Sequence, residues 1–451
     1  MEKKIIFIFV FLAYGQVFSQ KLWTLDDCLK YALDNNIQYK RAELEVKLSS
    51  ANATQSIMEM VPTLSGDASY GKAIGRAYNY NTNSYQDATV NSGSLSLSGS
   101  VTLFQGFSLV NGARASRYDF EKAKASLATE RKNLSLNIMV KYIDVLFKRD
   151  LYKAAVQQEA ISKQDLEKEE NLFNLGGVSN AEYLEIKAQY ARSSADVVSY
   201  QNQYQLVLID LAQLLEIPDV IGFNIATPAS VDSSLSYDLS PMDSVLAEKD
   251  SWFPEIKVAQ NNMRAREMNY YSAIGQFSPR FYLGYSMSSW FADNAADPRD
   301  PTGKTIYPTY DYQRQVNDNR LKVISIGLSI PILDRFSAQT NKTRKRIAYN
   351  DARYSYQQTV NAATKEVINA YMEANGAWNN YMAAKDKIEA SDAAWNATKE
   401  KYDLGSASSI ELGIAQKNLF EATTNYINSK YSYVLRKEIL DYYQGKPLTL
   451  Q

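Results

Sequence analysis

Four segments of this 451-residue chain alternate apolar and small polar residues with a period of two. Over 94–103, Leu95, Leu97, Val101 and Leu103 share one side, and serines and Thr102 share the other. Ile324, Ile326, Leu328 and Ile330 alternate with Ser325, Gly327 and Ser329. Phe281, Leu283, Tyr285 and Met287 alternate with Tyr282, Gly284, Ser286 and Ser288. Leu64, Gly66, Ala68 and Tyr70 form the fourth and weakest set. Successive side chains of a strand point to opposite faces, so each set makes one apolar face. Apolar-out, small-polar-in segments of about ten residues are the pattern of membrane barrel strands. A half-buried strand of a soluble sandwich shows the same alternation. Pairing as two hairpins around polar loops at 78–92 and 290–319 favours the membrane reading, with both loops facing the outside. Four strands cannot close a barrel, since the smallest bacterial examples have about eight. Open sheet edges do not occur in lipid. The chain therefore has to share its barrel with one or two further copies.

The start of the chain fits export. Lys3 and Lys4 precede an apolar run from Ile5 to Leu12, and small Ser19 offers a cleavage point before Gln20, so 1–19 reads as a secretory leader. That apolar run is too short to span a bilayer as a helix, and no run of about 18 apolar residues follows it.

The sequence also repeats itself. Leu103-Phe104-Gln105-Gly106-Phe107-Ser108 matches Ile332-Leu333-Asp334-Arg335-Phe336-Ser337 at an offset of 229. Residues 175–182 match 404–411 at the same offset. Upstream, Lys40, Ala42 and Pro62 match Lys257, Ala259 and Pro279 at 217, so twelve extra residues lie between Pro279 and Pro331. Each copy reads as a helix (24–60; 241–276), a proline stop, two strands, a long helix (108–173; 337–402), a glycine-containing break and a return helix (180–216; 409–440). In the first long pattern, Leu127, Leu134, Ile138, Tyr142, Val145, Tyr152 and Val156 fall near helical spacing, without proline. At 1.5 Å per residue such a helix reaches roughly 100 Å, longer than a globular core requires. The expected organisation is a leader at 1–19 and a first repeat at 20–216 with its hairpin at 62–104. A linker at 217–240, a second repeat at 241–440 with its hairpin at 279–333, and a tail at 441–451 follow. The fold class is mixed α and membrane β: a long α-helical coiled coil plus four barrel strands per chain.

Composition narrows the chemistry. Lys+Arg is 49 and Asp+Glu is 50, so no electrostatic footprint for nucleic acid is present. There is no histidine, which removes Ser-His and Cys-His catalysis and the commonest metal ligand. One cysteine, Cys28, excludes an internal disulfide. No phosphate loop, metal cluster or nucleophile–base set is visible, so neither catalytic residues nor cofactors are expected.

Three local signatures then point to a known pattern: Trp23-Thr24-Leu25-Asp26-Asp27-Cys28 before the first helix, Pro62 entering the first strand, and Tyr402-Asp403-Leu404-Gly405 with its repeat partner Phe173-Asn174-Leu175-Gly176. With the duplicated unit, they make the chain resemble the TolC-like outer membrane factor (outer membrane efflux protein) family over nearly all of its mature length. The resemblance implies a homotrimer with a twelve-stranded barrel in outer-membrane lipid and a helical tunnel in the periplasm. Segment 217–240 and the tail would form an equatorial collar. It implies a passive conduit for small molecules or proteins, in tripartite efflux or type I secretion. Its partners would be a periplasmic adaptor (membrane fusion protein) and an inner-membrane pump of the resistance-nodulation-division (RND) or ABC type. The adaptor would dock at two turns, Leu175, Gly176, Gly177, Val178 and Ser179, and Leu404, Gly405, Ser406, Ala407 and Ser408. Glycine there also suits a helix end. Glu182 and Glu411 would line the periplasmic entrance, although acids also suit a helix start through its dipole. Tyr402 would help latch the closed state. The latch arginine of the family is Ala407 here, and the second acidic position of the second copy is Ile414, so the charged latch is incomplete. A secreted or surface-attached structural coiled coil is the alternative. It fits the long helices but fits the alternating strands less well.

Overall fold

The computed structural model describes residues 22–79, 83–218, 220, 222–228, 235–239, 241–247, 253–446 and 448. The expected leader at 1–19, and parts of the expected linker and tail, lie outside these residues. In chain order the elements are β1 (Leu22–Trp23), α1 (Leu25–Asn35), α2 (Ile37–Met58), β2 (Thr63–Asn79), β3 (Ser84–Phe104), α3 (Ser108–Asn174), α4 (Asn180–Leu214) and β4 (Asn224–Ile225). Then come α5 (Met242–Ala247), α6 (Pro254–Gly275), β5 (Arg280–Ala292), α7 (Tyr312–Asp318), β6 (Leu321–Ser329), α8 (Ser337–Asp403) and α9 (Ser409–Tyr443). The chain divides into two compact units, and each draws on both halves of the sequence. One takes Met1–Glu43, Leu127–Pro254 and Val360–Gln451; the other takes Leu44–Ser126 and Glu255–Thr359. Among the described residues, no helix is long and apolar enough to cross a membrane.

The second unit carries an antiparallel sheet of order β2-β3-β5-β6. Its register puts Gly66, Leu97, Met287 and Lys322 in one row, and Leu283 beside Val101 and Ile326. The apolar residues of all four segments therefore share one face. Ile324 and Ile326 on that face are 75% and 77% exposed. The opposite face is a hydroxyl ladder: Ser65 and Ser98 Oγ lie 3.0 Å apart, and Ser69 and Ser94 Oγ 2.8 Å apart. Among the described residues nothing pairs with the outer edges of β2 and β6.

The polar loop expected at 78–92 is a paired ladder for most of its length. Asn79 pairs with Ser84 and Gly71 with Ser92. Main-chain pairing does not depend on side-chain polarity, so an Asn-, Asp- and Gln-bearing ribbon stays paired after its apolar alternation has ended. In the second hairpin, β5 runs to Ala292 and the connection folds into α7. Asp311 caps α7, and Gln315 is fully buried, accepting from Ala292 N through Oε1 at 2.8 Å.

Both strand-to-helix corners use two successive left-handed residues, Gly106 (φ 53°) and Phe107 (φ 58°), then Arg335 (φ 58°) and Phe336 (φ 59°). At the first corner a side chain has no room: a Cβ on Gly106 would sit 2.3 Å from Ser278 Oγ and 2.6 Å from Gly275 O.

The first unit is built on long helices. The single helix expected over 24–60 is two, because Asn36 leaves the helical conformation (ψ 125°) and donates from Nδ2 to Leu214 O at 3.1 Å. Thr24 and Asp27 form a capping box at the start of α1. β1 and β4 pair in parallel, and fully buried Tyr142 of α3 places its hydroxyl 3.1 Å from Trp23 O and 2.8 Å from Ala226 O. Around it pack Cys28, Ile138, Leu146, Leu211 and Leu215. The short strand pair ties the segment after α4 to the start of the chain. A two-residue strand carries no periodicity, so the sequence gives no sign of it.

Replacing Gly106 by Ala should lower stability in urea unfolding by about 1–3 kcal/mol, since it adds a clash and αL strain. Gly112→Ala in α3, where the new Cβ meets nothing nearer than Ser272 Oγ at 3.9 Å, should raise it by roughly 0.5–1 kcal/mol.

Candidate functional site at the helix turns

Each long helix reverses into its return helix through the same local chemistry. At the end of α3, Gly176 (φ 73°) donates to Phe173 O at 3.0 Å and Gly177 to Leu172 O at 2.8 Å. At the end of α8, Gly405 (φ 75°) donates to Tyr402 O at 3.0 Å and Ser406 to Lys401 O at 2.8 Å. These crossed pairs are Schellman closures, which satisfy the last free carbonyls and need a left-handed residue where glycine stands.

The return helices open on capping boxes. Ser179 N donates to Glu182 Oε2 at 2.9 Å, and Glu182 N donates to Ser179 Oγ at 3.3 Å. Ser408 N donates to Glu411 Oε2 at 2.8 Å, and Glu411 N to Ser408 Oγ at 3.3 Å. The backbone N–H of each serine, then its hydroxyl, holds the glutamate below the usual carboxylate range. Both carboxylates are thus structural anchors of their turns, whatever else they do. Leu175 and Leu404 point outward, 83% and 78% exposed, an unusual placement for leucine. Phe173 stacks on Tyr183 at 5.0 Å across the first turn. In the second, Ala407, Glu411 and Ile414 border a hollow of about 580 Å³.

Tyr402 meets neither glutamate. Its hydroxyl donates to Glu169 Oε2 of α3, a buried carboxylate. Beside it Lys168 Nζ lies 2.6 Å from Asp403 Oδ1 and 4.7 Å above the Tyr402 ring. Burial, then the Glu169 hydrogen bond, pushes the Tyr402 phenol well above its usual range. The ends of α3 and α8 are therefore tied by one hydrogen bond and one ion pair. Glu169 and Lys168 escaped the sequence reading because no local pattern sets them apart from neighbouring helix charges. Further along, Gln416 binds Gln189 and, at 3.2 Å, Ser162 Oγ, joining α3, α4 and α9 through buried polar groups. Among the described residues no cluster of acids and cysteine could hold a metal.

Ser179→Ala or Ser408→Ala should each cost about 0.5–2 kcal/mol of helix stability. Because the folded Glu182 and Glu411 values are lowered, their contribution is present above the unfolded value of about 4.3 and is lost as pH falls through the folded value. Protection of the Ser179 and Ser408 amides from hydrogen exchange, relative to their intrinsic rates, should fall in that acid window and be low at every pH in Glu182→Ala and Glu411→Ala.

Residues 28–216 and 252–445 match the model of the outer membrane efflux protein family. The chain is 22% identical over 375 residues to outer membrane protein TolC of Escherichia coli, covering 81% of this chain and 72% of the relative. Over 440 residues it is 20% identical to outer membrane protein TolC of Vibrio cholerae, covering 96% and 93%. The Campylobacter jejuni CmeC outer membrane channel superposes with a TM-score of 0.78 at 18% identity, over 93% of this chain and 85% of that one. The family match spans both halves of the chain: the chain belongs to the outer membrane efflux protein family, as a non-enzymatic channel component of efflux systems.

Proposed function

We propose that three copies of this chain, four strands each, close one twelve-stranded barrel in the outer membrane and form a passive export duct. The observation that carries this is the four-stranded sheet with one exposed apolar face, one hydroxyl face and two unpaired edges. In lipid such edges have to be paired, and sister copies offer the same strands. Lipid covers the face bearing Ile324 and Ile326, and the Ser65–Ser98 ladder lines the lumen. The long helices α3 and α8 and their return helices form the periplasmic wall. The equal lengths of α3 and α8, 67 residues each, and of α4 and α9, 35 each, support a tandem duplication, as does the family match in two stretches.

The turns at Leu175–Ser179 and Leu404–Ser408 are the docking points for a periplasmic adaptor, which links the duct to an RND or ABC pump in the inner membrane. Their outward leucines support this reading, because the caps do not use them. Glu182 and Glu411 from three copies bring six carboxylates to the mouth and favour cations. The contact of Tyr402 with Glu169 supports a latch role for Tyr402. With Ala407 and Ile414 at the remaining latch positions, closure rests on this contact and on the Lys168–Asp403 pair.

The protein should elute from detergent as a trimer and conduct ions in a planar bilayer. A non-conducting monomer would sink the reading. Ile326→Arg should impair membrane insertion by about 2–4 kcal/mol, the depth-dependent cost of a lipid-facing charge. Ser98→Arg on the other face should insert normally and shift selectivity toward anions. Glu182→Gln with Glu411→Gln should lower cation preference; unchanged selectivity would leave these residues as helix caps only.

A further inference from the structure

The loop between β5 and β6 does more than connect strands. Helix α7 lies over the apolar face of the sheet near its outer end, held by Ser289 Oγ donating to Val316 O at 2.7 Å. Phe291 on the same face packs on Tyr312 at 4.8 Å and on Tyr70 at 6.4 Å. Between this helix and the strands remains a groove of about 410 Å³. Its floor is apolar: Leu95, Leu97 and Met287, with Gly66 and Ala68 leaving the sheet surface low beside them.

Two cations flank this groove. Arg320 lines it just before β6, and Lys322 follows on the apolar face of that strand, beside Met287. Both are exposed. Arg320 donates to Asn317 Oδ1 at 3.4 Å, and neither side chain forms an ion pair among the described residues. Two of the neighbouring acids are engaged elsewhere, and a third, Asp67, borders the groove itself. Asp318 and Asp297 pair with Arg299, Asp297 also with Arg314, and Asp67 sits on the hydroxyl face near Ser96. An apolar trough with unpaired cations at its rim is complementary to one ligand chemistry, a hydrocarbon chain carrying an anionic phosphate.

We infer that the groove beneath α7 is a binding site for a phosphorylated membrane lipid, with an acyl chain against Leu95, Leu97 and Met287 and the phosphate at Arg320 and Lys322. This rests on the reading that the apolar face meets lipid. The arrangement makes bound lipid a third layer, sealing the depression left by Gly66 and Ala68. Arg suits the phosphate because its planar fork donates two parallel hydrogen bonds.

Native mass spectrometry of the intact detergent-solubilised protein, titrated with lipid A, tests the inference. Wild type should retain lipid A, while diacylglycerol and inorganic phosphate should each fail to bind alone. Arg320→Ala with Lys322→Ala should weaken retention roughly fivefold to tenfold, equivalent to losing one or two charge-assisted contacts. Ala68→Phe, which fills the trough and keeps both cations, should weaken it as well. Equal retention by wild type and all variants would overturn the site. Conductance of the same preparations separates the two readings: channels that conduct normally while lipid retention is unaffected by the substitutions leave the duct intact and remove the lipid site alone.

Discussion

The physics of this chain turns on main-chain hydrogen bonds at the two edges of its four-stranded sheet. β2 and β6 each present an outer row of N–H and C=O groups with no partner among the described residues. In water such edges are tolerable. In hydrocarbon each unpaired group costs several kcal/mol. The exposed isoleucines of β6 make water an unfavourable surrounding for the sheet, and the free edges make lipid equally unfavourable for one copy. The proposed assembly, which supplies both lipid and neighbouring strands, removes both penalties.

The helices carry a milder form of the same incompleteness. No residue of α2 is buried, although Ile37, Leu44 and Leu48 are all more than half exposed. A helix with apolar side chains and no buried residue has its packing partner elsewhere. By contrast, α1 is fixed within its own unit, through Cys28, Ala32 and the Thr24 capping box. The cluster of Trp23, Tyr142 and the β1–β4 pair is complete within one chain. Stability is thus uneven: this cluster is complete within one chain, while in the proposed assembly the strand edges and the α2 face are covered by sister chains.

Features governed by period were legible in the sequence. The helical spacing of Leu127, Leu134 and Ile138 without proline marks α3, and the leucine–serine alternation around Leu97 marks β3, because each reports directly which side chains share a face. The glycine caps were legible too, since Gly176 and Gly405 are local signals, as was the preference of Glu182 and Glu411 for a helix start. Other features rest on long-range pairing and left no trace in spacing. The ladder continued through polar residues between 78 and 92, Asn36 split the first helix to reach Leu214, and α7 folded onto the sheet around Gln315. At the turns the same division holds. The serine–glutamate caps join residues three apart, whereas the tie from Tyr402 to Glu169 joins residues 233 positions apart.

Disulfide trapping across the free edges measures the shared cylinder most directly. In a Cys28→Ala background, cysteines would replace Ser65 or Ser69 in β2 together with Ser325 or Ser329 in β6. Within one chain these strands are separated by β3 and β5, about 14 Å at the usual strand spacing, beyond the roughly 7 Å reach of a disulfide. Oxidation should give covalent dimers and trimers on a denaturing gel for at least one pair. Monomer alone from every pair, in protein that has inserted into membrane, would contradict the shared barrel.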